Sequence, residues 1–258
     1  MNIAPNLLFF VLGAVIGSFL NVCIYRLPRE RSIVTPGSSC PHCGAHIAFY
    51  DNIPFVSHLV LKGKCRHCGA RISLQYVTVE LLTALLYAVV FQLYGFSLDL
   101  AVMLLFVSLL IVISFIDLEF KIIPDVLSLG GVVAGGVLCF FRSTFNYVDA
   151  LLGIVLGGGI LWAIAAGYEL LRKREGMGGG DIKLLAMIGA FCGIKGVLFA
   201  LVFGSLFGTL VGIPVMLIKH EDTKYAIPFG PFLSLGALFY VLAGNRVMYA
   251  FLSLMSPQ

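Results

Sequence analysis

The sequence predicts an all-α polytopic membrane protein of about eight transmembrane helices, with a small cytoplasmic loop domain folded around a zinc knuckle. Three observations predict it. Apolar residues make up 60% of the 258 residues and charged residues only 12%, against roughly 45–50% and about 25% in soluble domains. The apolar residues gather into runs separated by charged or turn-rich breaks. One stretch near the N-terminus carries four cysteines in two pairs.

At about 20 residues per crossing, a chain of this length has room for seven or eight spans and one loop of some fifty residues. The runs place the spans near 7–25, 77–94, 99–116, 126–141, 148–168, 183–195, 197–218 and 228–252. The first does not read as a cleaved signal peptide: MNIAPN before it has no basic residue, whereas Arg26, Arg29 and Arg31 follow it. It reads as a span with its N-terminus outside. The inner segments then collect Arg26, Arg29, Arg31, Lys62, Lys64, Arg66, Arg71, Lys121, Arg172, Lys173, Arg174, Lys183, Lys219 and Lys224, leaving only Arg142, Lys195 and Arg246 outside. Fourteen against three puts residues 26–75 and the short loops near 120, 175 and 222 on the cytoplasmic side. The net charge of +4 is accounted for by this asymmetry and needs no nucleic-acid partner.

In the long loop, Cys40-Pro-His-Cys43-Gly and Cys65-Arg-His-Cys68-Gly are two copies of one turn. CPHCGAHI and CRHCGARI match at six of eight positions. Two thiolates three residues apart grip one side of a tetrahedral Zn²⁺, the glycine permits the turn, and the second pair closes the other side. With no open position the metal is structural. A redox or disulfide pairing is the competing reading, which a reducing cytoplasm disfavours. So small a loop has little apolar core, so zinc binding supplies much of its folding free energy. His42 and His67 read as solvent-facing turn residues, while Cys23, Cys139 and Cys192 lie in apolar runs and read as small core residues.

Ionisable residues at membrane depth are functional candidates. Asp117 ends the third span in SFIDLEFKIIPD, Asp125 closes that segment, and Asp181 follows Gly178, Gly179 and Gly180 in REGMGGGDIKLL. Topology sets all three at the cytoplasmic boundary. Two carboxylates at one depth suit aspartyl hydrolysis, one ionised to activate water and one protonated to polarise the scissile carbonyl, with like-charge repulsion keeping a proton shared. The glycines allow a substrate backbone close to Asp181. Asp181 and Asp125 can alternatively be helix N-caps, and for Asp125 capping is the preferred reading. Asp117 cannot be one, because an anion at a helix C-terminus opposes the dipole. From Asp181 to Lys195 the helix would run only about 21 Å against a hydrocarbon layer near 30 Å, so the sixth span is short.

GSFLNVCIYRLPR at 17–29, the paired knuckles, DNIPFVSHLVLKGKCRHC at 51–68, Glu80, IDLEFKIIPD at 116–125 and GMGGGDIKL at 176–184 together resemble the type IV prepilin peptidase family over nearly the whole chain. The resemblance implies a bacterial inner-membrane aspartyl peptidase that removes the basic leader of prepilins and pseudopilins at the cytoplasmic face, with Asp117 and Asp181 as its catalytic pair. It also implies N-methylation of the new N-terminal residue from S-adenosylmethionine. No glycine-rich nucleotide fingerprint marks a donor site, and residues 17–75, with Asp51, Asn52 and Lys62 to Arg66, are where it is sought. The expected divisions are 1–25 as the first span, 26–75 as the zinc loop and methyl-transfer region, and 76–258 as a seven-helix peptidase domain.

Two other classes are weighed against this. A proton- or cation-coupled transporter would also use intramembrane aspartates, but neither the cysteine loop nor the GxGD segment has a counterpart in the other half of the chain. A non-catalytic assembly component would use zinc for docking and the aspartates as caps, and would tolerate Asp→Asn.

Overall fold

The structure is a computed structural model that describes residues 3–143, 145–173, 178–219 and 228–255. Arg174, Lys224, His220 and the Gly176-Met177 pair of the glycine motif lie outside the described residues. The described chain is helical, with only two isolated β-bridges, both in the long loop. The long helices are α1 (Ile3–Arg26), α3 (Leu74–Tyr94), α4 (Leu98–Phe120), α5 (Asp125–Leu138), α6 (Tyr147–Arg172), α7 (Gly179–Lys219) and α8 (Gly230–Met255), and a short α2 (Val56–Val60) sits in the loop.

Five helical segments are long and apolar enough to cross a membrane: Ile3–Arg29, Leu74–Tyr94, Leu98–Phe120, Tyr147–Arg172 and Gly179–Val215. Two more, Asp125–Phe141 and Gly230–Gly244, are apolar but shorter. The predicted runs at 183–195 and 197–218 belong to one stretch, α7, broken at Gly193 by φ 67° and ψ −166°. That break falls at the expected boundary and is a backbone kink instead of a loop.

The chain forms two compact units, residues 1–112 and 113–258, divided within α4. In the first unit α1 lies along α3. The approach is close because α1 offers glycines: a Cβ on Gly13 would stand 2.7 Å from the Ala84 Cα, and one on Gly17 2.8 Å from the Glu80 Cα. Small residues at helix contacts are how membrane helices gain van der Waals packing where no hydrophobic driving force acts between them. Inside this unit the Tyr87 hydroxyl donates to Ser108 Oγ at 2.8 Å, and the Ser108 hydroxyl donates to Leu104 O at 2.8 Å.

The second unit uses the same device more heavily. On α6, a Cβ on Gly153 or Gly157 would stand 2.5 Å from the carbonyl oxygen of Gly189 or Leu185 on α7. Gly135 admits α5 to Ala190 and Phe191, and Gly236 brings α8 onto Ala200. At the α7 break, the amides freed by lost helical bonding need partners. Asp149 of α6 supplies one: its carboxylate fills the notch at Gly193 and accepts from Ile194 N–H at 3.3 Å. Cys23, Cys139 and Cys192 are buried, as small core residues should be.

Candidate active site and metal centre

The two knuckles repeat in structure as they do in sequence. Cys40 N–H donates to Ala45 O at 2.9 Å and Gly44 N–H to Cys40 O at 2.9 Å; Cys65 N–H donates to Ala70 O at 2.8 Å and Gly69 N–H to Cys65 O at 3.0 Å. Ser39 bridges to His46 as Lys64 does to Arg71. Gly44 and Gly69 hold φ 70° and 69°, a left-handed turn that a Cβ would strain. Each turn therefore points two sulfurs the same way.

All four Sγ atoms lie within 4.8 Å of one another, and those of Cys40 and Cys68 are 3.9 Å apart. Thiolates about 2.3 Å from a tetrahedral zinc stand about 3.8 Å apart, so the donor set fits that ion in both chemistry and size. The amides of Cys43 and His42 pull the Cys40 thiol down to about 7 and those of Cys68 and His67 lower Cys65, which favours the thiolate at these two. Burial and the neighbouring cysteine side chains push Cys68 up to about 11, so its thiolate needs the charge of the metal itself. His42 and His67 are exposed turn residues. Asp51 does not stand free in solvent: Arg66, beside the second knuckle, grips it through Nε at 2.7 Å and Nη2 at 2.6 Å and holds its carboxyl below the usual range.

In the second unit Asp117 lies in the last turn of α4 and is 5% exposed. Its Oδ2 accepts from Gly230 N–H, at the start of α8, at 3.0 Å. A side chain there would displace the carboxylate, because a Cβ would stand 2.6 Å from that oxygen and 3.1 Å from Ile123. Ile123 also touches α7, where a Cβ on Gly180 would stand 2.9 Å from it. One isoleucine thus separates the glycines beside the two aspartates. Sixty-four residues apart in sequence, the carboxylates share one neighbourhood.

Asp181 is not an N-cap. Helix α7 begins at Gly179, so Asp181 is inside the first turn, its own N–H directed to Gly178 O at 3.2 Å. Asp125 is likewise the first residue of α5, after Pro124, and its carboxylate pairs with Lys183 at 2.6 Å. The capping reading fails because α5 starts at Asp125 itself, with Pro124 at the cap, and α7 starts two residues before Asp181. Among the described residues a Cβ on Gly178 or Gly179 would meet nothing within 4 Å, so no described residue closes the backbone before Asp181 on that side. Gly230, Ile123 and Lys183 were not singled out from the sequence. The Gly-Pro pair at 230–231 that opens α8 was the available signal for the first.

Residues 11–94 match the family model described as the bacterial peptidase A24 N-terminal domain, and residues 104–213 the one described as the type IV leader peptidase family. A prepilin leader peptidase/N-methyltransferase of Pseudomonas aeruginosa is 36% identical over 265 residues, covering 94% of this chain and 91% of that protein. Proteins of the same description from Myxococcus xanthus and Aeromonas hydrophila are 42% and 36% identical, over 81% and 93% of this chain and 62% and 91% of theirs. No solved structure matches. Two family models laid end to end, and relatives similar along almost the full length, fix the assignment: the chain belongs to the type IV leader peptidase family.

Proposed function

We propose that this protein is an intramembrane aspartyl endopeptidase that removes the leader of type IV prepilins or pseudopilins at the cytoplasmic membrane face and then N-methylates the residue it exposes. The observation that carries the hydrolytic half is that Asp117, held by the Gly230 amide, and Asp181 flank one residue, Ile123, which lies against both Gly230 and Gly180. In this reading the ionised carboxylate takes a proton from water as its oxygen attacks the scissile carbonyl carbon. The protonated partner gives its proton to the carbonyl oxygen. Collapse of the tetrahedral intermediate breaks the C–N bond, and the departing amine leaves with a proton from the pair. Gly178 and Gly179, with no described residue within 4 Å of where a Cβ would stand, give the substrate backbone its approach to Asp181.

The methyl-transfer half follows the description of the relatives as leader peptidase/N-methyltransferases. S-adenosylmethionine supplies the methyl group when bound, and the region assigned to the step is the loop at 26–75 with its flanking helices. Cys40, Cys43, Cys65 and Cys68 hold a structural Zn²⁺ that folds this loop. The topology assigned is about eight spans with the N-terminus outside and the loop in the cytoplasm, as the basic residues require, and residues 76–258 form the peptidase domain.

The test is cleavage of a purified prepilin by the protein in detergent. Asp117→Asn and Asp181→Asn should each lower the rate by about 10³-fold or more while leaving the fold intact. Processing at the normal rate by either variant removes the assignment of the pair.

A further inference from the structure

Three segments far apart in sequence meet at Glu80, a residue of α3 that neither the metal centre nor the aspartate pair uses. Glu80 is 8% exposed. Its Oε2 accepts from Phe55 N–H at 3.0 Å, and the Ser18 hydroxyl of α1 donates to the same carboxylate. Phe55 reaches that position with φ 60° and ψ −47°, a conformation a phenylalanine adopts only when its surroundings impose it. No lysine or arginine pairs with Glu80 among the described residues; the nearby titratable side chain that acts on it is His58 of α2. Two neutral donors and an imidazole solvate a buried carboxylate only in part and leave it without a permanently charged counter-ion among the described residues.

His58 adds an independent observation. Among the described residues its Nδ1 is one of few buried side-chain atoms with no hydrogen-bond partner, a rarity that asks for an explanation. Gly63 lies against the ring, where a Cβ would stand 3.1 Å from Nε2, and at φ 66° Gly63 is itself a turn glycine. Beside it α2 exposes Val56, Leu59 and Val60. Among the described residues the ensemble is a buried carboxylate with a histidine and no lysine or arginine beside it, an imidazole nitrogen without a hydrogen-bond partner, and an apolar shoulder.

We propose that Glu80 binds the positively charged α-amine exposed on the pilin by leader removal, and that His58 takes the proton this amine must lose before methylation. The inference rests on the methyl-transfer half of the function proposed above. An ammonium has no lone pair and cannot accept a methyl group. His58 removes one proton; the freed nitrogen pair attacks the methyl carbon of a sulfonium donor. The N–C bond forms, the S–C bond breaks, and its electron pair stays on sulfur as a neutral thioether. The product is again a cation, now a methylammonium, which Glu80 still holds, and the released proton resides on His58.

The test uses the full-length, zinc-loaded protein in detergent with a peptide of the mature pilin N-terminus, either free or N-acetylated. Binding of both peptides is measured by fluorescence anisotropy, transfer of labelled methyl to the free peptide by mass spectrometry, and leader cleavage separately. Wild type should bind the free amine at least about tenfold more tightly than the acetylated peptide, as expected for a charge paired out of water. Glu80→Gln keeps an acceptor for the Phe55 amide and removes the charge. It should erase that preference and lower methyl transfer by about 10²-fold or more with cleavage and zinc content unchanged. His58→Gln should lower the transfer rate by at least about tenfold at saturating peptide while the preference for the free amine persists.

Equal binding of the two peptides by wild type, or normal methyl transfer by Glu80→Gln, overturns the proposal. A purely structural Glu80 predicts the latter, with Glu80→Gln behaving as wild type. If wild type transfers no methyl group at all, the methyltransferase reading has failed, and amine binding still decides whether Glu80 is the receptor.

Discussion

Cys40 and Cys65 are positioned by hydrogen bonds to residues five places along the chain, whereas Asp117 takes its amide from Gly230, 113 residues away. The contrast extends to what holds each region together. In the loop the turn chemistry is local, the apolar content is small and the four sulfurs converge on a site for an ion. In the second unit, glycines let α5, α6, α7 and α8 approach to backbone contact, and the carboxylates are placed by that packing. A local device needs a ligand to become stable. A packed one needs its small residues.

The strongest way to break this comparison is to cross the two perturbations. Asp181→Asn should abolish cleavage, a loss of about 10³-fold or more, and leave zinc content at one ion per chain. The Cys40→Ser, Cys65→Ser double variant should do the reverse: no zinc, loss of hydrogen-exchange protection across residues 38–72, and cleavage preserved. If the double variant loses cleavage as completely as Asp181→Asn, the two regions are not separable in this way.

A gentler perturbation sharpens the packed side. Gly230→Ala places a methyl group 2.6 Å from Asp117 Oδ2, and displacement of that carboxylate by about 1 Å should lower the cleavage rate about 10–100-fold with little change in helix content. Gly157→Ala acts away from the site, against the Leu185 carbonyl. It should cost about 1–3 kcal/mol of stability, read as a lower unfolding temperature in detergent, with a smaller effect on rate. The smallest effect belongs to Lys183→Met. Lys183 and Asp125 form a partly exposed pair, and such pairs contribute about 0–1 kcal/mol, so cleavage should change by less than about fivefold.

The same difference governs what could be read from the sequence. The knuckles were legible because their information is contiguous: a repeated Cys-x-His-Cys-Gly turn specifies its own hydrogen bonds, and the second copy reports the first. The family motif also singled out Asp117 and Asp181. The Gly230 amide, the Ile123 contact and the Lys183 partner of Asp125 were not legible, since each depends on which helix faces which, and a glycine carries no mark of its neighbour. The capping readings of Asp125 and Asp181 failed for a smaller reason. Each helix begins at or before its aspartate, at Asp125 itself and at Gly179, so neither carboxylate occupies a cap. Fold class was plain from composition, while the division of α7 was legible as a boundary and not as a kink at Gly193.

That kink has a mechanical consequence. The first part of α7, residues 179–192, is an arm with Asp181 near its tip and its pivot at Gly193, where Asp149 is lodged. Twelve residues of helix make a lever of about 18 Å, so a rotation of about 5° at the pivot sweeps the tip through about 1.6 Å, more than a reacting group tolerates. The angular precision of a carboxylate on α6, distant from any chemistry, is thereby multiplied into the alignment of Asp181.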